Sequence, residues 1–268
     1  MLATLAFLSA LSALPAQEGQ LRLTNERPTY GIMGAPRPAT DKYLPGDAYF
    51  LTFDIENLKV DDTGKVIYTM SMELLDSKNK PQFKSEPQKL EMTSSLGGNR
   101  VPAFAHAILS TDTAEGEYTL HLTVEDRATQ KKAELTRKFD VVKKDFGLVR
   151  VNTSYDGEGR LPAPAVAVAG QSLWVNFAAV GYDRDKKTKQ PDIAVEMRVL
   201  DENGKPTVEK PFPGSVSDNV PENWSLVPMQ FMLTLNRPGK FTVELKATDK
   251  VANKKSPTLK FPVTVLDR

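Results

Sequence analysis

The 268-residue chain contains no cysteine. That removes disulfides, thiol catalysis, thiolate metal sites and a lipid-anchored N-terminal cysteine. Outside the cytoplasm such a chain has only its apolar cores to hold it together. Histidine is nearly absent too: His106 and His121 are the two. The internal repeat set out below gives neither of them a histidine counterpart, so a histidine metal site or a Ser-His-Asp triad has little to stand on. No sign of charge dominates. The formal net charge is +1, with 17 basic and 19 acidic residues over 17–143 and 18 and 15 over 144–268. Neither part has the basic bias of a nucleic-acid binder, and no Lys/Arg cluster suggests anionic lipid. A Gly-rich phosphate loop, a Gly-x-Ser-x-Gly elbow and a His-Glu-x-x-His pair are all missing. No convincing amphipathic helix stands out.

One long apolar run is present, at the start. Residues 1–16 are rich in Leu and Ala and carry no charge. The run is too short to span a bilayer as a helix, but it fits a signal-peptide core with cleavage between Ala16 and Gln17. It lacks the basic residue expected ahead of such a core, which a start codon assigned slightly late would explain. The expectation is an exported mature chain (periplasm, cell surface or extracellular) with no membrane span.

Two parts of the chain repeat each other. Gly116-Glu-Tyr118-Thr-Leu120-His-Leu122-Thr-Val124-Glu-Asp126 lies on Gly239-Lys-Phe241-Thr-Val243-Glu-Leu245-Lys-Ala247-Thr-Asp249 at an offset of 123. Apolar residues alternate with polar ones in both, the period of a half-buried strand. Tyr68, Met70, Met72 and Leu74 match Ile193, Val195, Met197 and Val199, and each set runs into an Asp/Asn/Gly turn. After Gly46 and Gly170, the sets Tyr49, Leu51, Phe53, Ile55 and Leu173, Val175, Phe177, Ala179 each share a face. A fourth match lays Phe104, His106 and Ile108 on Val227, Met229 and Phe231, which would turn His106 inward. A weaker fifth sets Tyr30…Gly34 against Tyr155…Gly159. Short strands at this spacing, repeated twice, predict an all-β chain. It would comprise two tandem seven-stranded antiparallel immunoglobulin-like β-sandwiches, over residues 17–143 and 145–268, each folding by itself.

The Gly-x-Tyr/Phe strand ending in Asp resembles the penultimate strand of bacterial immunoglobulin-like, fibronectin-III-like and polycystic-kidney-disease-type domains. The likeness covers about eleven residues per repeat. The Trp-Asp-Phe-Gly-Asp-Gly signature of the last type and the Cys…Trp…Cys framework of antibody domains are missing. The resemblance implies an extracytoplasmic sandwich module and carries no functional residue with it.

Candidate chemistry is sparse. Asp61-Asp62 and Asp183-x-Asp185 lie in equivalent loops, where paired oxygens suit Ca²⁺; Arg184, Lys186, Lys187 and Lys189 oppose a cation at the second. Asp126 and Asp249 are expected to bond backbone at a strand end. Asn152-Thr-Ser154 and Asn223-Trp-Ser225 fit the glycosylation sequon. Aromatics are the better lead. Phe50 and its counterpart Trp174 both fall on the outward face of their strand, free to stack on a sugar or seat a partner, unless the Pro-rich leader of each repeat folds over them. Trp224, with Asn223, stands in a loop that residues 94–98 do not reproduce. It is a candidate ligand or partner contact, or it packs under its own loop. The expectation is a protein that is no enzyme and needs no metal or cofactor: a structural or protein-binding module of the bacterial envelope, or else a carbohydrate-binding accessory module. A hydrolase ranks below both, and the partner is another envelope protein or a glycan, with no role for nucleic acid.

Overall fold

The computed structural model describes residues 19–268; the leader expected at 1–16 lies outside them. Every regular element is a strand: among the described residues there is no helix. The first half carries β1 (Arg22–Thr29), β2 (Ala48–Glu56), β3 (Lys65–Leu75), β4 (Pro81–Lys84), β5 (Gln88–Thr93), β6 (Arg100–Ile108), β7 (Gly116–Asp126) and β8 (Lys132–Val141). The second carries β9 (Gly147–Ser154), β10 (Val166–Val168), β11 (Ser172–Val180), β12 (Ile193–Leu200), β13 (Phe212–Val216), β14 (Leu226–Thr234), β15 (Gly239–Asp249), β16 (Lys254–Lys255) and β17 (Leu259–Leu266). That is eight and nine strands where seven were expected in each.

Four sheets result. In the first half, β1-β2-β6 forms one and β4-β3-β7-β8 the other, with β5 also on β3. In the second half, β9-β11-β14 forms one and β10-β17-β15-β12-β13 the other, with β16 on β15. Inward faces of both sheets of a half supply one buried cluster. The repeat extends to irregularities. Both first strands break register once, at Asn25 and at Arg150, and both residues take positive φ. The parallel bridge of Tyr43 to Val141 recurs as the parallel pairing of β10 with β17.

One match was out of phase. Val101, Ala105 and Ala107 of β6 are buried, Ala103 packs on the core, and Phe104, His106 and Ile108 face outward. Pairing through β2 and β11 sets the true offset at 126, so Ala103, Ala105 and Ala107 correspond to Met229, Phe231 and Leu233. An odd slip exchanges the two faces of a strand. The reason lies in volume. Tyr43, Tyr49 and Phe139 fill the first core, with Tyr49 and Phe139 stacked at 4.3 Å. Their counterparts by register are Ala167, Leu173 and Val263. Where one core has large rings beside alanines, the other has small residues beside Met, Phe and Leu, and both reach close packing.

The halves meet through a packed junction. Leu44 lies against Val149, Ala178, Val180 and Leu226, and Tyr30 and Ala35 enter the second core. The Tyr30 and Phe261 rings stand 5.8 Å apart. Gly46 adopts φ +94°, and a Cβ there would press on Thr111, Leu226 and Val180 at 3.1–3.3 Å; glycine lets the second half come this close. At the centre, Asp47 accepts hydrogen bonds from Arg37 Nη1 (2.9 Å) and from the backbone N–H groups of Ala48 and Arg150 (2.8 Å each). Arg150 Nε donates to the Gly46 carbonyl. The Arg37 guanidinium sits 3.8 Å from the Tyr43 ring centroid. Burial draws its pKa down, and the charge of Asp47 and the neighbouring phenols more than offset that.

Candidate binding groove

The outward face of β9-β11-β14 is not uniform. Alternation along β11 sends Trp174, Asn176, Ala178 and Val180 to that side. Ala178 and Val180 are buried in the junction, which leaves Trp174 and Asn176 beyond it. Beside Asn176 stand Asn152 on β9 and Gln230 on β14. With strands spaced at about 4.8 Å, these three amides form a row about 10 Å across. Asn176 Nδ2 donates to Ser154 Oγ (2.6 Å) and to Asn152 Oδ1 (3.4 Å). Asn152 Nδ2 donates to the Arg150 carbonyl.

A groove of about 970 Å³ runs over this row. One wall is the turn from Gly157 to Gly159; the opposite wall is the loop carrying Asn223, Trp224 and Ser225. Gly157 approaches the Trp174 ring so closely that a Cβ there would lie 3.4 Å from it. Trp174 is therefore half-buried under the leader of its own repeat. Phe50 differs: it stacks on the outward His106, with ring centroids 5.4 Å apart and planes 16° apart. It is half-buried too, but far along the chain from the groove. His121 bonds Thr136 Oγ1 through Nδ1 at 3.0 Å.

Trp224 is held from behind. The Arg184 guanidinium donates to the carbonyls of Lys189 (2.8 Å), Val220 (3.3 Å), Pro221 (2.8 Å) and Trp224 (3.0 Å). Tyr182 Oη donates to the Trp224 carbonyl as well. Gln190 completes the clamp, donating to Val220 O and accepting from Val220 N. The loop backbone is thus pinned at three residues, while Trp224 keeps 45% of its surface exposed. Asn223 is exposed beside it. The lining holds one cation and one anion: Arg150, which donates through Nε to the Gly46 carbonyl, and Glu158, which pairs with Arg160 at 2.6 Å.

The loop carboxylates are occupied by turns. Asp61 Oδ1 accepts from Thr63 N, Thr63 Oγ1 and Lys65 N, and Asp185 Oδ1 accepts from Lys187 N and Thr188 N. Those bonds hold both carboxyls below the usual range, led by the Thr63 hydroxyl for Asp61 and the Thr188 N–H for Asp185. Asp126 and Asp249, both buried, accept backbone N–H groups from their own turn and from Lys59 and Asp183. This is the strand-end role expected of them.

Of the four sequence candidates, the structure brings Trp224 and Asn223 to one groove, places Trp174 outside its lining under Gly157, and leaves Phe50 elsewhere. Sequence reasoning passed over Asn176 and Gln230; only the pairing of β11 with β14 sets them side by side on the outward face. It also read Arg184 as a charge opposing a cation, not as the clamp of the Trp224 loop.

No protein-family model matches this sequence, and no curated protein matches it. Similar solved structures include the C-terminal domain of the Streptococcus pyogenes antigen I/II-family protein AspA, 8% identical, covering 92% of this chain and 100% of that one at a TM-score of 0.30. Another is red sea bream transglutaminase, 10% identical, covering 94% of this chain at a TM-score of 0.28. The chain spans about a third of the transglutaminase, 32%. At such scores neither likeness bears on activity.

Proposed function

We propose that this chain is an exported, non-enzymatic binding module of the bacterial cell envelope. Its scaffold is two tandem immunoglobulin-like β-sandwiches with seven strands in common, β1, β2, β3, β5, β6, β7 and β8 answering to β9, β11, β12, β13, β14, β15 and β17. The observation that carries the binding role is the clamped Trp224 loop. Three side chains spend hydrogen bonds on fixing a loop whose tryptophan then faces solvent. A tryptophan needed only for packing would be turned into the core; one fixed outward loses little entropy when it meets a partner. The loop carboxylates, already spent on turns, support a role without catalysis.

The test has two parts. Cell fractionation is expected to find the chain in the envelope with Gln17 at its N-terminus; an unprocessed cytoplasmic chain overturns the exported reading. A photocrosslinking residue at position 223 is expected to form a discrete adduct with envelope material in living cells. The same probe with Trp224→Ala should lose it. Equal adducts in both, or no adduct, overturn the assignment of the binding surface.

A further inference from the structure

Resting on that reading, we infer that the groove beneath Trp224 takes a neutral oligosaccharide. Three features of the site converge on this class of ligand. The first is the floor. Asn152, Asn176 and Gln230 form a lateral row of amides; Asn152 and Asn176 already bond each other, Ser154 and the Arg150 carbonyl, which leaves the Asn176 oxygen and the whole Gln230 amide to face a ligand. Sugar hydroxyls are likewise both donor and acceptor, so an amide meets them in either sense. The Gln230 amide makes no hydrogen bond to any described residue, and its nitrogen lies 3.4 Å from where a Gly157 Cβ would stand. It is free to bond a ligand at the floor of the groove.

The second is the wall. The indole of Trp224 offers a broad apolar face, suited to the C–H face of a pyranose. Its backbone carbonyl is held by Arg184 and Tyr182 before any ligand arrives, so the loop that carries the ring is already ordered at the groove. An apolar peptide side chain would gain from the ring alone and cover the Gln230 amide without giving it a partner, at a cost. A sugar satisfies both at once.

The third is charge. Arg150, the cation of the lining, spends its Nε on Gly46 and its backbone N–H on Asp47. Glu158, the anion, is paired with Arg160. Arg150 and Glu158 are the two charged side chains of the lining and their formal charges cancel, so the lining has no cluster of one sign to hold a phosphate, a sulfate or a uronate. The groove is open rather than enclosed, and it crosses the strands along the amide row, so a chain of sugars can lie across it and extend beyond both ends. The first half lacks this arrangement. The counterpart of Asn176 is Thr52, and the loop over residues 95–99 is exposed and carries no aromatic.

The experiment uses the purified full chain and five soluble probes: cellohexaose, chitohexaose, maltohexaose, xylohexaose and polygalacturonate. Binding is followed by calorimetry and by indole fluorescence. At least one neutral hexasaccharide is expected to bind with a shift in emission. Trp224→Ala should weaken it about tenfold or more, and Asn176→Ala by about fivefold. Met33→Ala, on the first half, should leave it unchanged. Salt up to 0.5 M (a concentration of about half molar, where exposed charges are screened) should not alter the affinity. Failure of all four neutral sugars to bind at millimolar concentration overturns the inference, as does binding that survives Trp224→Ala, or preferential, salt-sensitive binding of polygalacturonate. The two readings separate cleanly. If the sugars fail but the position-223 probe still yields a Trp224-dependent adduct with an envelope protein, the sugar inference falls and the binding module stands. If both fail, both fall.

Discussion

Asp47 is the residue whose loss should cost the fold most. Its carboxylate is the hydrogen-bonded ion partner of Arg37, and the two side chains are only 4% and 9% exposed. The same group also fixes Ala48 N and, across the junction, Arg150 N. Asp47→Ala leaves a buried guanidinium without its close partner, because Asp41 lies farther off at 3.5 Å and is partly exposed. Breaking one side of a buried ion pair costs about 3–5 kcal/mol. The stranded Arg150 N–H adds part of a further 1–3 kcal/mol or so, though water entering the small void recovers some of it. A total of about 4 kcal/mol is expected, a large share of the roughly 5–15 kcal/mol that holds a typical domain together. Urea unfolding, followed by circular dichroism and by tryptophan fluorescence, measures it. Both tryptophans lie in the second half, so a variant with a loosened junction should show the two signals separating. The double variant Arg37→Met/Asp47→Ala removes the charge together with its partner. It should be less destabilised than the two single changes summed, by about 2 kcal/mol. A cost below about 1 kcal/mol for Asp47→Ala, or strict additivity in the double variant, would refute the view that this buried ion pair and the bond it anchors to Arg150 N stabilise the fold.

Other outcomes follow from the same structure. Burial keeps the Tyr43 and Tyr49 phenols protonated, with Tyr49 pushed up to about 12. The unfolded chain ionises near 10, so it releases its protons first; stability that is full below about pH 10 should drain as pH rises through about 12. A urea midpoint that stays level across that window would contradict this. Arg184→Ala should free the Trp224 loop, lowering stability by about 1–2 kcal/mol and raising the rate of limited proteolysis between residues 217 and 225; an unchanged cleavage rate would show that the clamp does not hold the loop. Residues 145–268 expressed alone should melt cooperatively but at a lower temperature than in the full chain, since Tyr30 and Ala35 no longer cover Phe261 and its neighbours. A broad, non-cooperative melt would count against a separate second domain.

Several elements could be read directly from the residues. β7 and β15 were plain because their alternation has one apolar face and one polar face, and only one phase buries the apolar set. In β2 and β11 the inward residues Tyr49, Leu51, Phe53, Ile55 and Leu173, Val175, Phe177, Ala179 are all buried, as their shared face implied. Strand β6 was not plain, because both of its faces are apolar: alanines on one side, Phe104, His106 and Ile108 on the other. Periodicity detects a strand but cannot choose between two apolar faces. That choice depended on how much space Tyr43, Tyr49 and Phe139 had already taken, which is a property of the assembled core. The binding groove was half legible. Trp224 stood out as a loop residue unique to one repeat, and Trp174 as an outward ring. Asn176 and Gln230 gave no sign, because a polar residue on an outward strand face is the ordinary case.

The sequence by itself determined the all-β character, the twofold repeat and the strand-end roles of Asp126 and Asp249. These are local matters of period, turn chemistry and spacing, and a short segment carries each of them whole. Only the tertiary structure decided which face of β6 is buried, that Asp47 and Gly46 bond Arg150 across the junction, and that Arg184 holds the Trp224 loop beside a groove lined by three amides. Those features join residues distant in the chain. Their partners are set by which surfaces meet when the sheets close, and no local pattern encodes that meeting.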